Sequence, residues 1–310
     1  MVGVVDTGVS PIADLNLVGG RAFVGALDAG CGSNTSSYYD DNGHGTAVAG
    51  IIGAKDDGYG IAGVSPGVGI FSLRIGDANG AATYQAMVCA IDYAAATLSD
   101  GDPNNNIGVL NISFGGEVYE ESWRDCTNTG NSLHIAICRA TDKGIAVAAA
   151  AMNSSQVYGN GYPASFPSVI TATAFNDYNG LSGGGASPNC TASGVSGDDQ
   201  YANYSNWGDS AEQAHTVAAP GTCVQTYWGN SNTPNSYFTG TSAAAPIVAG
   251  AAMNCKAWSL CPASGKAVVT KLVNDSQNYL NGNRGYGFYG DPFNLVNSRI
   301  YGPPVNLGLY

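Results

Sequence analysis

Charge is scarce in this chain. Only 11% of its 310 residues are Asp, Glu, Lys or Arg, and they sum to −12. Eleven Lys and Arg against 23 acids argue against a nucleic acid or an anionic membrane surface as partner. No apolar run reaches the ~20 residues that span a bilayer. The longest, Gly144 to Met152, is strand-sized. No Cys-x-x-Cys pair and no Cys/His zinc spacing occurs. Histidine is rare, with three in all. No internal repeat and no linker interrupts the chain, so residues 1–310 read as one domain.

What is present is a core. Hydrophobic residues make up 44% of the chain, ample for a single large α/β domain, and the apolar runs are too regular for disorder. Gly alone contributes 44 residues, which points to a loop-rich surface of small polar side chains. Eight cysteines in such a chain read as disulfides formed in an oxidising, secreted or extracellular compartment. Cys126 with Cys138, Cys190 with Cys223 and Cys255 with Cys261 each close a short excursion and are expected to pair. Cys89 lies in a helical pattern, where a buried free thiol is the alternative.

Three stretches carry chemistry. Gly240-Thr241-Ser242-Ala243-Ala244-Ala245-Pro246 places a serine at the first turn of a buried small-residue helix. Unpaired N–H groups and the positive end of the helix dipole gather there. An N-capping serine would look the same from this stretch alone. Val2-Gly3-Val4-Val5-Asp6-Thr7-Gly8 reads as a buried parallel strand with Asp6 at its carboxyl end, the edge where open α/β sheets build sites. A turn-capping Asp is the plainer reading. Asp40-Asp41-Asn42-Gly43-His44-Gly45 puts a histidine at a turn-to-helix junction; a solvent-exposed loop histidine is the alternative. His134 and His215 are expected at the surface.

Acid, base and nucleophile then follow one another as Asp6, His44 and Ser242, an order used by one of several unrelated triad folds. Asp6-Thr7-Gly8, His44-Gly45-Thr46 and the block around Ser242 resemble the three signature blocks of the subtilisin-like serine peptidases, over nearly the whole chain. The resemblance implies a three-layer α/β/α sandwich with a mostly parallel central sheet. It implies a serine endopeptidase acting on extended peptides, with the chain's own pro-peptide as a further partner. Asn153, after the strand at Gly144–Asn153, matches the family's side-chain oxyanion donor, with Met152 where a Gly is usual. Ser113, Phe114 and Gly115 match a strand end that pairs with substrate backbone by β-augmentation. Gly161 matches the floor of the pocket for the side chain before the cut bond. A Gly there leaves depth for a large apolar or aromatic group, and no acid is evident along that pocket.

The resemblance also implies calcium, with Asp14 and Asp57 as side-chain ligands, hard oxygens that suit the ion. Two solvated turn acids are the alternative. The family carries a further N-terminal segment and a pro-peptide ahead of the first strand. Their apparent absence makes Met1 an engineered start or the chain incomplete. Helices are expected at 45–54, 84–97 and 133–143 and after Ser242, and a last one within 286–297. Asp177 to Ala202 reads as an insertion. Two rivals share the triad: a transpeptidase or cyclase, which needs water kept from the acyl-enzyme, and an inactive binding-only relative, which needs a lost triad member or a blocked cleft.

Overall fold

The computed structural model describes residues 1–26, 31, 37–117, 126, 130–191, 196–283, 285 and 287–309. In chain order its elements are β1 (Val2–Asp6), β2 (Asn16–Ala22), α1 (His44–Gly53), β3 (Gly69–Arg74), α2 (Tyr84–Thr97), β4 (Val109–Ile112), β5 (Gly116–Glu117), α3 (Ser132–Asp142), β6 (Ala146–Ala150), β7 (Gly161–Tyr162), β8 (Ile170–Asn176), β9 (Gln200–Tyr201), β10 (Thr216–Pro220), β11 (Val224–Thr226), β12 (Ser236–Phe238), α4 (Thr241–Ala257) and α5 (Gly265–Gly282).

The main sheet runs β10-β8-β6-β4-β1-β3-β2. Every neighbouring pair on that path is parallel, and β9 adds antiparallel to β8. Its strands are buried on both faces, which is why they read as continuous apolar runs. Period-2 alternation still sorts the side chains. Val4, Ile70, Val109 and Ala148 join the core beneath α1, α4 and α5. Val5, Leu73, Leu110 and Val147 join the opposite core beneath α2 and α3. The result is the expected three-layer α/β/α sandwich. Small residues set the spacing on the first face, where Ala146, Ala148 and Ala150 of β6 share a core with Ala243, Ala244 and Ala245 of α4.

Two helices begin at local caps. The Thr83 side chain accepts the N–H of Ala86 for α2, and Asn131 accepts that of His134 for α3. The expected helix within 286–297 is not there; the described residues of that stretch form turns and isolated bridges. The helix before it, α5, went unread because only one face of it, including Val268, Val269 and Leu272, is buried within a long polar run.

Four disulfides form. Three join the expected pairs. Cys89 is not a free thiol: it bonds Cys31, 58 residues away, and ties the loop after β2 to the middle of α2. Replacing Cys31 and Cys89 together by Ala is expected to lower unfolding stability by about 4 kcal/mol on chain-entropy grounds. Denaturant midpoints of the two proteins, at equal slope, measure it.

Candidate active site

Strands β6, β4 and β1 are neighbours, and their carboxyl ends open on one edge of the sheet. Asp6 ends β1, Ser113 follows β4, and Met152 and Asn153 follow β6. The first turns of α1 and α4 bring His44 and Ser242 to the same edge. Residues far apart in the chain thus meet where parallel α/β sheets place their sites.

Asp6 is fully buried, and its Oδ1 accepts His44 Nδ1–H at 2.7 Å and the Thr7 N–H at 2.8 Å. Gly45 is required beside it, since a Cβ there would lie 2.1 Å from the Gly8 carbonyl oxygen. The rings of Phe114 and Phe238 meet His44 edge-on, at 5.7 and 5.1 Å between centroids. Burial lowers the His44 pKa, but the charge of Asp6, the Asp6 hydrogen bond and the charge of Asp40 together raise it above its ordinary value.

Asp40 had no assigned role in the sequence. It is buried, and its Oδ1 accepts Thr7 Oγ1–H and the N–H groups of Asn42 and Gly43. Its Oδ2 accepts Thr46 Oγ1–H and the Thr46 N–H. Asp40 therefore anchors the start of α1, and with it His44, to the turn after Asp6. The available signal was an acid just ahead of a small-residue helix, where the dipole favours it.

Ser242 is the second residue of α4, so its N–H has no intrahelical acceptor and remains an available donor. Pro246 sits inside the same helix and cannot bond back to the Ser242 carbonyl. Ser113 Oγ–H takes that carbonyl instead, at 3.3 Å, and is itself reached by Asn111 Nδ2–H. Ser242 Oγ donates to the Ser113 carbonyl at 3.4 Å. No hydrogen bond joins Ser242 Oγ to His44 among the described residues; such bonds often tighten only when substrate binds.

Asn153 Oδ1 accepts both the N–H and the Oγ–H of Thr241, at 2.8 and 3.0 Å. That ties down its oxygen and leaves Nδ2–H without a hydrogen-bond partner among the described residues. Gly240 has φ 149°, and a Cβ there would crowd Asn153 Nδ2 at 3.4 Å. Met152 adopts φ 76°, a left-handed conformation costly for a side chain of this kind.

The backbone of Phe114 and Gly115 takes no backbone hydrogen bond among the described residues. Gly115 must be a glycine, because a Cβ would lie 2.4 Å from the Tyr162 carbonyl oxygen. Beyond it the chain pairs Gly116 with Tyr162 and Glu117 with Gly161. Beside this antiparallel pair lies a pocket of about 210 Å³ lined by Met152, Val157, Tyr158 and Gly161. Glu117 lines it too, which corrects the reading that no acid stands there.

Two other readings change. His134 and His215 are buried, not at the surface. His134 stacks on Phe166 at 4.3 Å, and His215 approaches Thr171 Oγ1 at 3.3 Å. Asp14 and Asp57 differ in burial. Asp14 is buried, with Tyr227 O–H on Oδ2 and no partner for Oδ1. Asp57 is exposed, and its Oδ1 accepts the Tyr59 N–H within its own turn. An orphaned buried carboxylate oxygen fits a hard cation.

The chain has relatives. The model of the subtilase family matches residues 1–288. The minor extracellular protease Epr of Bacillus subtilis is 34% identical over 251 residues, 80% of this chain and 30% of that protein. The thermostable alkaline protease of Halalkalibacterium halodurans is 31% identical over 287 residues, 92% of this chain and 64% of that one. Subtilisin DY of Bacillus licheniformis is 34% identical over 256 residues, 81% and 74% of the two chains. This chain thus spans 30% and 64% of the length of the first two relatives. A solved cold adapted subtilisin-like serine proteinase superposes with a TM-score of 0.63 at 25% identity, covering 98% of this chain and 89% of its own.

Proposed function

From the premise that this chain belongs to the subtilase family, we propose that residues 1–310 form one catalytic unit, a secreted serine endopeptidase cutting extended peptides by acyl transfer to water. The observation that carries the reading is the 2.7 Å hydrogen bond from His44 Nδ1 to buried Asp6, at the helix start beside that of Ser242. Ser242 Oγ attacks the scissile carbonyl as His44 Nε2 takes its proton. Asp6 holds the tautomer and stabilises the imidazolium. Asn153 Nδ2–H and the Ser242 N–H receive the oxyanion. The leaving amine takes the proton from His44, and water repeats the sequence on the acyl-enzyme. Substrate lies along the unpaired backbone of Phe114 and Gly115. The side chain before the cut bond enters the pocket over Gly161, which admits a large group. The same groove would receive the chain's own pro-peptide.

A sulfonyl fluoride tests the reading directly. Intact mass is expected to rise by one adduct, absent from Ser242→Ala. A folded protein that takes no adduct contradicts it. Asn153→Ala is expected to lower kcat ~10²–10³-fold with KM little changed, the size known for the matching donor in subtilisin. Steady-state assays on one peptide give both constants.

Calcium would be held at Asp14, as a structural ion with no part in the reaction. Chelation is then expected to lower the melting temperature, and Asp14→Asn to abolish that response. An equal response in both proteins places the ion elsewhere.

A further inference from the structure

The pocket before the cut bond has two kinds of wall. Met152, Val157 and Tyr158 supply apolar surface along it. Glu117 and Gln156 supply polar groups, and Gln156 Nε2–H donates to Glu117 Oε1 across the pocket. Glu117 stands directly opposite Gly161 in the β5–β7 pair. Cross-strand neighbours share a face, so the missing side chain at 161 leaves the space beside Glu117 open. No Lys, Arg or His pairs with Glu117 among the described residues. The chain around it carries a net −12.

We infer that Glu117 selects a cationic tip on the side chain that precedes the cut bond. Lysine and arginine carry an apolar stem with a charged head, the order of surfaces this pocket offers. The stem lies between Met152, Val157 and Tyr158, and the head reaches the Glu117 carboxylate held by Gln156. This rests on the endopeptidase reading and replaces the expectation of a purely apolar or aromatic preference. Glu117 is exposed, so solvent and salt weaken the attraction without abolishing it.

The test uses peptides that differ only in the residue before the cut bond: lysine, its neutral straight-chain counterpart norleucine, and glutamate. At low ionic strength the wild-type protein is expected to prefer lysine over norleucine roughly fivefold in kcat/KM. Norleucine should exceed glutamate by a similar factor. In Glu117→Gln both ratios should approach one, and added salt should bring the wild-type ratios down the same way. Ratios that are equal in the two proteins overturn the inference, leaving Glu117 as a brace for Gln156. The same peptides are titrated against Ser242→Ala, with and without Glu117→Gln, as a binding measurement. If the wild type cuts no peptide but binding still favours lysine through Glu117, the endopeptidase reading fails and this one stands. If peptides are cut and bound without regard to charge, this one fails alone.

Discussion

Replacing Ser242 with Ala is expected to reduce peptide hydrolysis to the residual ~10³–10⁴ over water that binding and oxyanion donors give without a nucleophile. The reason is local. Ser242 Oγ is the only hydroxyl at the first turn of α4 beside an amide without an intrahelical acceptor, apart from Thr241, whose Oγ–H is committed to Asn153. The fold should be little disturbed. Ser242 is buried at the edge of the cleft, and its side chain makes one long bond, 3.4 Å to the Ser113 carbonyl. The carbonyl of residue 242, which Ser113 Oγ–H holds because Pro246 cannot, survives the change. An unchanged melting temperature together with lost turnover is the expected pair of results. Turnover within tenfold of the parent would move the nucleophile elsewhere.

Asp6→Asn is expected to lower kcat by roughly 10⁴ and to shift the acid limb of the pH profile downward. In the parent, burial of His44 disfavours its cation, but the Asp6 charge, the Asp6 hydrogen bond and the Asp40 charge raise the pKa above its ordinary ~6.5. The free base is the active form, so activity rises with pH through a midpoint above that value. Removing the Asp6 charge leaves burial opposed only by weaker effects, and the midpoint falls. The stability linkage has the matching sign. A raised folded-state pKa means that the His44 cation stabilises the parent below the unfolded pKa and loses that contribution as pH rises through the folded one. Asp6→Asn should flatten this part of the stability profile. A kcat/KM profile with the same acid midpoint in both proteins contradicts the assignment.

Much of the fold was legible because short-range patterns encode it. A β-branched run ending in Asp6 gave β1, and period-3.6 spacing from Tyr84 to Thr97 gave α2 at its observed bounds. Where the pattern was one-sided the reading failed. Helix α5 buries a narrow face, and the helix that the family resemblance implied within 286–297 is replaced by turns and bridges in its described residues. Turn glycines were also legible, since Gly8, Gly43 and Gly240 all take positive φ beside the candidate site.

By itself the sequence determined the stock of chemistry: one acid at a strand end, one histidine and one serine at helix starts, an Asn after an alanine strand, and an even set of cysteines. Tertiary structure alone decided what each could touch. Sheet order put β6, β4 and β1 side by side, so Asn153, Ser113 and Asp6 share an edge. Packing buried His134 and His215, joined Cys31 to Cys89, and buried Asp14 while leaving Asp57 exposed. The pairing of Glu117 with Gly161 put a carboxylate in a pocket that the sequence showed without one. Propensity and periodicity act over a few residues, whereas these contacts join residues tens to hundreds apart, and only the burial of two sheet faces at once fixes them.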